Sequence, residues 1–324
     1  MSALPAAIRV PLPGRAGDPD FALSVHACGE GPAVVFCHGF PDLARTWRTQ
    51  LSAVAAAGFQ ALAPDMRGYG ASSCPQAIEA YGLTELTGDL VALLDARGIE
   101  RAVFVGHDWG GFVVWAMPVL HPERVAGVVG VCTPYMPFPS VAVHADLVGG
   151  DTTRQYVAWF QEPGVAEQVM DADVRSIFDC IMRCGVPPEQ MLHAAFADGR
   201  LNMNPFLGAA ELPRLGEPVM SPEELETYCA SFERTGFRGG INWYRNIDRN
   251  LREHPSVGVA PLGLPCLMLI AEWDPALTPA LAASMPERCS DLEMHTFARA
   301  GHWVQRETGD ELAARLVDWL QRRR

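Results

Sequence analysis

The sequence contains no lysine. All 25 of its basic residues are arginine, and 38 acidic residues oppose them, so the formal net charge is −13 at pH 7. The only basic run is Arg322-Arg323-Arg324 at the carboxyl terminus. An acidic chain without a larger basic cluster is a poor match for nucleic acid or for an anionic membrane surface. We therefore expect neither as a partner.

Long apolar runs and cysteine motifs are also missing. No stretch approaches the ~20 apolar residues that span a bilayer, and residues 1–13 contain three prolines but no apolar core of signal-peptide length. The nine cysteines are scattered, and no pair has zinc-ribbon spacing. Free, mostly buried thiols are the better interpretation, and they are typical of a reducing compartment. We expect a cytoplasmic protein; the sequence leaves monomer and homodimer open.

Apolar residues are plentiful, at 49% of the 324 residues, and their pattern predicts the fold. Short β-type runs alternate with helical patterns, which favours a mostly parallel, doubly wound α/β sheet. Thr84 is expected to cap one of the helices. The alternation stops between residues 135 and 255, where the patterns are mostly helical. This interruption predicts a core domain of residues 1–134 and 256–324, with residues 135–255 inserted as a helical cap. The predicted strands are 33–37, 60–63, 102–105, 125–131, 266–270 and 292–297.

The sharpest local motif is Gly106-His107-Asp108-Trp109-Gly110-Gly111, between a predicted strand and a helical segment. A chain that turns from strand to helix within a few residues strains the residue at the apex and needs small neighbours, which the glycines supply. The pattern is the nucleophile elbow G-x-S-x-G with Asp108 in place of serine. The amino end of the following helix favours a negative charge there. An ordinary glycine-rich turn is the alternative interpretation.

The residue at the apex indicates the chemistry. A serine attacks acyl carbon, whereas a carboxylate doing so would form an anhydride. On a saturated carbon, a carboxylate instead forms an ordinary alkyl ester. Water can then attack the carboxyl carbon of Asp108 and release an alcohol. Asp108 therefore points to an electrophilic alkyl carbon, chiefly in epoxides and haloalkanes.

Hydrolysis of such an ester requires a base to activate water and an acid to orient the base. Asp274 and His302 each follow a predicted strand, at the sheet edge where open α/β sheets place their sites. The chain order Asp108, Asp274, His302 is that of nucleophile, acid and base. Glu272 is the alternative acid, but it lies nearer the strand body and is expected to make a structural contact.

The segment His38-Gly39-Phe40-Pro41 ends the first core strand. Its glycine permits close approach of the backbone, so the amides of Phe40 and Trp109 are expected to point at a developing oxyanion. A plain Gly-Pro turn is the alternative interpretation. The run 65–70 contains G-x-G but lacks a third glycine and a βαβ context, so we interpret it as a loop rather than a nucleotide site.

Two histidines flank these motifs. His38 and His107 are expected to be structural. A metal site made of these two residues and Asp108 would lack any recognised ligand spacing. We expect neither a metal nor another cofactor.

At this point the sequence resembles the α/β-hydrolase superfamily and, within it, the soluble epoxide hydrolase branch, from about Pro32 to Leu320. The elbow and residues 38–41 are shared with haloalkane and haloacetate dehalogenases, so they do not discriminate. The predicted cap does, because residues 156–167 and 235–246 are similar to the family segments that each carry a ring-opening tyrosine. The resemblance maps these tyrosines onto Tyr156 and Tyr244.

Two departures from the family pattern stand out. Asp42 occupies a position where related sequences often carry Glu or Gln, which affects a loop contact but removes no catalytic group. The chain is also too short to include the amino-terminal phosphatase domain of the vertebrate soluble enzymes. We therefore expect the hydrolase unit alone.

The resemblance implies an epoxide hydrolase that makes a vicinal diol from a small hydrophobic epoxide and water. Paired phenols suit an epoxide, because its opening expels an alkoxide that must be hydrogen-bonded or protonated. Trp109 and Phe160 are expected to contact the substrate. A dehalogenase is one alternative, with the Trp109 indole as halide donor. The other is a non-catalytic ligand-binding protein of the same fold, although such receptors often lose a triad member.

Overall fold

Eight strands form one sheet in the computed structural model, which describes residues 4–196 and 199–324. Their spatial order is β1-β2-β4-β3-β5-β6-β7-β8. Strands β1 and β2 pair antiparallel with each other, and β2 also pairs antiparallel with β4. All other neighbours, in the order β4-β3-β5-β6-β7-β8, pair parallel. The predicted mostly parallel sheet is thereby confirmed. The strands are β1 Ala7–Pro11, β2 Ala22–Cys28, β3 Ala33–Cys37, β4 Gln60–Pro64, β5 Ala102–His107, β6 Val125–Val131, β7 Leu262–Ala271 and β8 Cys289–Phe297.

Helices cover the sheet and fill the interval between β6 and β7. In the described part of that interval, helices α4 to α11 follow one another, with only isolated β-bridges among them. The helices are α1 Arg48–Ala56, α2 Leu83–Ala96, α3 Trp109–Leu120, α4 Val141–Asp146, α5 Tyr156–Trp159, α6 Val165–Met170, α7 Val174–Ile181, α8 Pro188–Ala195, α9 Pro222–Thr235, α10 Arg238–Arg245, α11 Ile247–Glu253, α12 Val304–Glu307 and α13 Gly309–Arg322.

The central strands are buried on both faces, as a doubly wound sheet requires. Alternate residues of β3 enter two different apolar clusters. Val35 joins the cluster that includes α2 and α3, and Phe36 joins the cluster that includes Leu51 of α1 and Leu316 of α13. The first cluster also includes residues of α5, α6, α7, α9 and α10, whereas α8 has no buried residue. One face of the sheet therefore shares a continuous apolar core with helices that follow β6.

The local predictions failed in two places. Strands β1 and β2 were not predicted; β1 lies at the sheet edge with four of its five residues exposed, so it lacks an apolar pattern. Thr84 was expected to cap α2 but lies inside it, because the helix begins at Leu83 after an extended Gly82. The Thr84 hydroxyl instead hydrogen-bonds His254. Among the described residues, no helix is long and apolar enough to cross a membrane.

Candidate active site

The loop at the end of β5 places Asp108 at the apex of a strained turn. Asp108 has φ 52°, a conformation that non-glycine residues rarely adopt. The close packing around it explains the glycines. A Cβ on Gly106 would lie 2.3 Å from the carbonyl oxygen of Gly110, and a Cβ on Gly39 would lie 2.3 Å from Oδ1 of Asp108. Only hydrogen at position 39 lets the β3 loop approach the carboxylate this closely.

The Asp108 carboxylate lies against backbone donors. The Phe40 amide donates to Oδ1 over 2.8 Å. Burial raises the pKa of Asp108, while His302 and the amides of Phe40 and Trp109 oppose that rise. These three groups favour the ionised carboxylate, but burial outweighs them and the pKa of Asp108 stays above its ordinary value.

Asp274 and His302 form a hydrogen-bonded pair beside this carboxylate. His302 Nδ1 donates to Asp274 Oδ2 over 2.8 Å, and its Nε2 lies 3.9 Å from Asp108 Oδ2. The other Asp274 oxygen accepts from the amides of Ala276 and Leu277, each over 2.9 Å. Burial opposes ionisation of Asp274, but the His302 charge, that hydrogen bond and the two amides outweigh it and lower the pKa to about 2.

His302 has a strongly raised proton affinity in this setting. Burial lowers its pKa, but the Asp274 charge and hydrogen bond outweigh burial, and the charges of Asp108 and Glu307 add to them. Together they raise the pKa of His302 to about 9. The imidazole is therefore protonated at neutral pH.

The flanking histidines make the structural contacts expected of them. His107 Nε2 donates to the His302 carbonyl oxygen over 2.8 Å. His38 Nδ1 donates to the Gly39 carbonyl over 2.9 Å, and its Nε2 accepts from the Met66 amide over 2.9 Å. Burial is the main reason that the pKa of each imidazole is lowered. Both rings are thus neutral parts of the framework.

The two tyrosines lie together, near enough to Asp108 for its charge to act on both, although 88 positions separate them in the chain. Tyr156 begins α5 and Tyr244 lies in α10, with ring centroids 5.7 Å apart. Burial raises the pKa of both phenols, and the Asp108 charge raises it further. Both phenols are therefore un-ionised at neutral pH. They interact with each other, which lowers the pKa of Tyr156 slightly against those effects.

Aromatic rings enclose the space around these groups. Tyr244 packs edge-on against Phe40, Phe160 and Trp109, with ring centroids 5.2, 5.0 and 5.0 Å apart. Trp109 stacks on Phe138 at 4.9 Å. Trp109 and Phe160, the predicted substrate contacts, thus both lie beside Tyr244. Such a lining suits an apolar substrate with few polar groups.

Asp42, the departure from the family pattern, anchors a buried polar network. Its Oδ1 accepts from the Tyr228 hydroxyl over 2.5 Å, and Arg306 donates to the same hydroxyl. Arg306 also pairs with Glu224 over 3.5 Å. Because α9 supplies Tyr228 and Glu224 while α12 supplies Arg306, the network joins the helical insertion to the loop that presents Phe40.

Possible metal donors also come together here, but not the set considered from the sequence. Donor atoms of His107, Cys132 and His302 lie within 4.8 Å of one another. His107 Nε2 and His302 Nδ1 are already engaged in the hydrogen bonds described above. All nine cysteines are free thiols.

Two other carboxylates, Glu272 and Glu307, lie near the site and make different contacts. Glu272 Oε2 accepts from the Arg299 amide over 2.7 Å, the structural contact expected of it. Glu307 lies beside the His302 loop and accepts two backbone hydrogen bonds. It was not predicted as a site residue; the only signal in the sequence is its position five residues after His302, one short helix away.

Comparisons with known proteins agree with this geometry. Residues 32–307 match the family model described as alpha/beta hydrolase fold. Epoxide hydrolase A of Mycobacterium tuberculosis is 40% identical over 318 residues, which cover 92% of this chain and 94% of that protein. Bifunctional epoxide hydrolase 2 of Sus scrofa is 37% identical over 90% of this chain, which spans only 52% of that protein's length.

A solved structure agrees as well. The crystal structure of epoxide hydrolase A from Mycobacterium thermoresistibile superposes with a TM-score of 0.85 at 38% sequence identity, covering 98% of each chain. The chain belongs to the α/β-hydrolase fold family. Its eight-stranded, mostly parallel sheet has Asp108 at the elbow, with Asp274 and His302 beside it. Within that family it belongs to the epoxide hydrolases, as the resemblance predicted.

Proposed function

We propose that the chain converts an epoxide to a vicinal diol in two covalent steps. In the first, Asp108 Oδ2 attacks one epoxide carbon. The carbon–oxygen bond of the ring breaks and an alkyl ester of Asp108 forms. Tyr156 and Tyr244 bind the departing oxygen, and one of them gives it a proton. The elbow carboxylate facing two neutral phenols is the observation that carries this proposal.

In the second step, water hydrolyses the ester. His302 takes a proton from water, and the hydroxide attacks the Asp108 carboxyl carbon. The amides of Phe40 and Trp109 stabilise the tetrahedral anion. Its collapse breaks the bond between the carboxyl carbon and the alkyl oxygen. The alkoxide takes the proton from His302, the new carboxylic acid of Asp108 gives its own proton to His302, the tyrosine regains its proton from solvent, and the diol leaves.

The first step prepares the base for the second. Esterification removes the Asp108 charge, one of the charges that raise the pKa of His302. The imidazole then loses its proton more readily and becomes able to accept one from water. Asp274 keeps the ring oriented through the Nδ1 hydrogen bond. The order of the two steps thus follows from the charges around one imidazole.

The helices between β6 and β7 serve as the cap in this scheme. The proposed cap, residues 135–255, supplies both tyrosines and Phe160, while the proposed core, residues 1–134 and 256–324, supplies Asp108, Asp274 and His302. A small hydrophobic epoxide and water are the reactants, and no cofactor enters any step. The cytoplasmic location predicted from the sequence stays a prediction, which the nine free thiols support.

The proposal is tested by trapping the alkyl ester of Asp108. In His302→Gln, the first step proceeds and the second stalls, so incubation with styrene oxide adds the mass of one substrate to the intact protein. Asp108→Ala is the matched control and gains no mass. Diol is measured alongside halide release from a panel of haloalkanes. Halide release without diol would establish the dehalogenase alternative. Tight epoxide binding with neither adduct nor diol would establish the non-catalytic alternative.

A further inference from the structure

The loop that carries His302 is joined to the helical insertion by hydrogen bonds. The Trp303 indole Nε1 donates to the carbonyl oxygen of Ile181, at the end of α7, over 2.6 Å. One oxygen of Glu307, Oε2, accepts from the amide of Gly185 over 2.8 Å and from the amide of Gly301 over 2.9 Å. One carboxylate oxygen thus ties the segment after α7 to the residue before the catalytic base.

The two glycines make this arrangement possible. A Cβ built on Gly185 would lie 2.5 Å from the Cα of Gly301, and a Cβ on Gly301 would lie 2.4 Å from the Cα of Gly185. The two backbones are therefore in direct contact, and their amides converge on the same oxygen. The other oxygen of Glu307, Oε1, is buried and makes no hydrogen bond within the described residues.

His302 is held by this contact and by two others. On the strand side, His107 donates to its carbonyl oxygen, and Asp274 fixes its Nδ1. On the opposite side, Glu307 accepts from the amide of Gly301, directly before His302, while one residue further back the carbonyl oxygen of Ala300 accepts from the amide of Trp273 over 2.8 Å. Loss of the carboxylate would leave the amides of the half-buried Gly185 and the buried Gly301 without their acceptor, and the loop would move to satisfy them.

We propose that Glu307 is a positioning residue for water activation. It holds His302 at the correct distance from Asp108, and it makes that position depend on how the segment after α7 packs against the His302 loop. This role rests on the proposed function. Asp108 and the tyrosines carry out the alkylation, in which His302 is not the base. Glu307 therefore matters for the second step and little for the first.

Two variants of Glu307 separate the effect of its hydrogen bonds from the effect of its charge. Glu307→Ala removes the acceptor, so hydrolysis of the alkyl-enzyme slows by about 10- to 100-fold, the usual cost of a misplaced catalytic group. Alkylation stays within about threefold of the wild type. Glu307→Gln keeps an acceptor oxygen for both amides and restores the hydrolysis rate. Glu311→Ala is the matched control, because this exposed carboxylate lies on α13 and pairs only with His295 among the described residues, over 3.6 Å.

The pH profile provides a second readout. The Glu307 charge contributes to the raised pKa of His302. In Glu307→Gln the acid limb of the hydrolysis rate therefore moves to lower pH, whereas Glu311→Ala leaves it in place. A purely structural contact would not move it. The titratable groups that face His302 are Asp108, Asp274, Glu307, His107 and Cys132.

Both steps are measured by mixing enzyme and styrene oxide rapidly and following the alkyl-enzyme by intact mass. Rate constants for single turnover do not depend on the folded fraction, so a less stable variant is still informative; thermal unfolding is recorded beside them. Equal slowing of both steps in Glu307→Ala, or an unchanged ratio of the two rates, would overturn the positioning role. A wild-type enzyme that forms no adduct and no diol would overturn the proposed function itself.

Discussion

Replacement of Asp108 by asparagine should lower the proton affinity of His302, because it removes a negative charge without removing the side chain. Asp108 Oδ2 lies 3.9 Å from His302 Nε2. At that distance two unit charges in an effective dielectric constant of about 20 interact by about 4 kcal/mol. Both side chains retain some exposure, so screening by water reduces this to about 2–4 kcal/mol. The acid dissociation constant of His302 should therefore rise about 30- to 1,000-fold.

The assay is a proton NMR titration of the imidazole Cε1–H signals. The His302 signal is the one that disappears in His302→Gln. In the wild type it stays in the protonated position at pH 7, since the pKa is about 9. In Asp108→Asn the titration midpoint falls by about 1.5 to 3 pH units. Intact mass must show that the new asparagine is not hydrolysed back to aspartate by its own active site.

Glu311→Gln is the matched control, because it removes an exposed carboxylate that does not face His302. Its titration midpoint should equal that of the wild type. An unchanged midpoint in Asp108→Asn would refute the reasoning: the charge of the nucleophile would not govern the base, and esterification could not switch His302 from acid to base. A midpoint that rises would refute it equally.

Two further predictions follow from contacts of the same loops. Gly39→Ala should fold, yet lose at least about 100-fold in alkylation rate, because its Cβ would occupy the place of Asp108 Oδ1; near-wild-type alkylation would contradict the packing argument. Tyr228→Phe should lower the free energy of unfolding by about 1–3 kcal/mol, since Asp42 and Arg306 lose their shared buried partner. Denaturant unfolding measures this loss, and an unchanged midpoint would show that the network does not contribute to stability.

Much of the core could be predicted because its signals are local. The strand before the elbow is a continuous apolar run, and the glycines around Asp108 are required wherever a strand turns into a helix so abruptly. Asp274 and His302 follow later apolar strands, so parallel pairing brings all three to one edge of the sheet. The paired tyrosines came from resemblance to family segments instead. A tyrosine pair without such a resemblance would have passed for ordinary packing.

Other features left no local signal. Strand β1 is short and exposed, and it is a strand only because β2 lies beside it. Thr84 has the chemistry of a cap, but Gly82 takes the extended conformation that precedes α2. The contact between Gly185 and Gly301 joins residues 116 positions apart. Nothing near either residue in the chain indicates that Glu307 would bind both.

The sequence alone determined which chemical groups the protein has and which of them end a buried strand, because backbone geometry and apolar periodicity act over a few residues. The tertiary structure decided how those groups face one another. The distance from His302 to Asp108 depends on the pairing of the strands that precede them. The approach of the two phenols and the contact between Gly185 and Gly301 depend on how the helices after β6 pack back onto the sheet. That packing is set by many weak apolar contacts acting together, so no single motif records it.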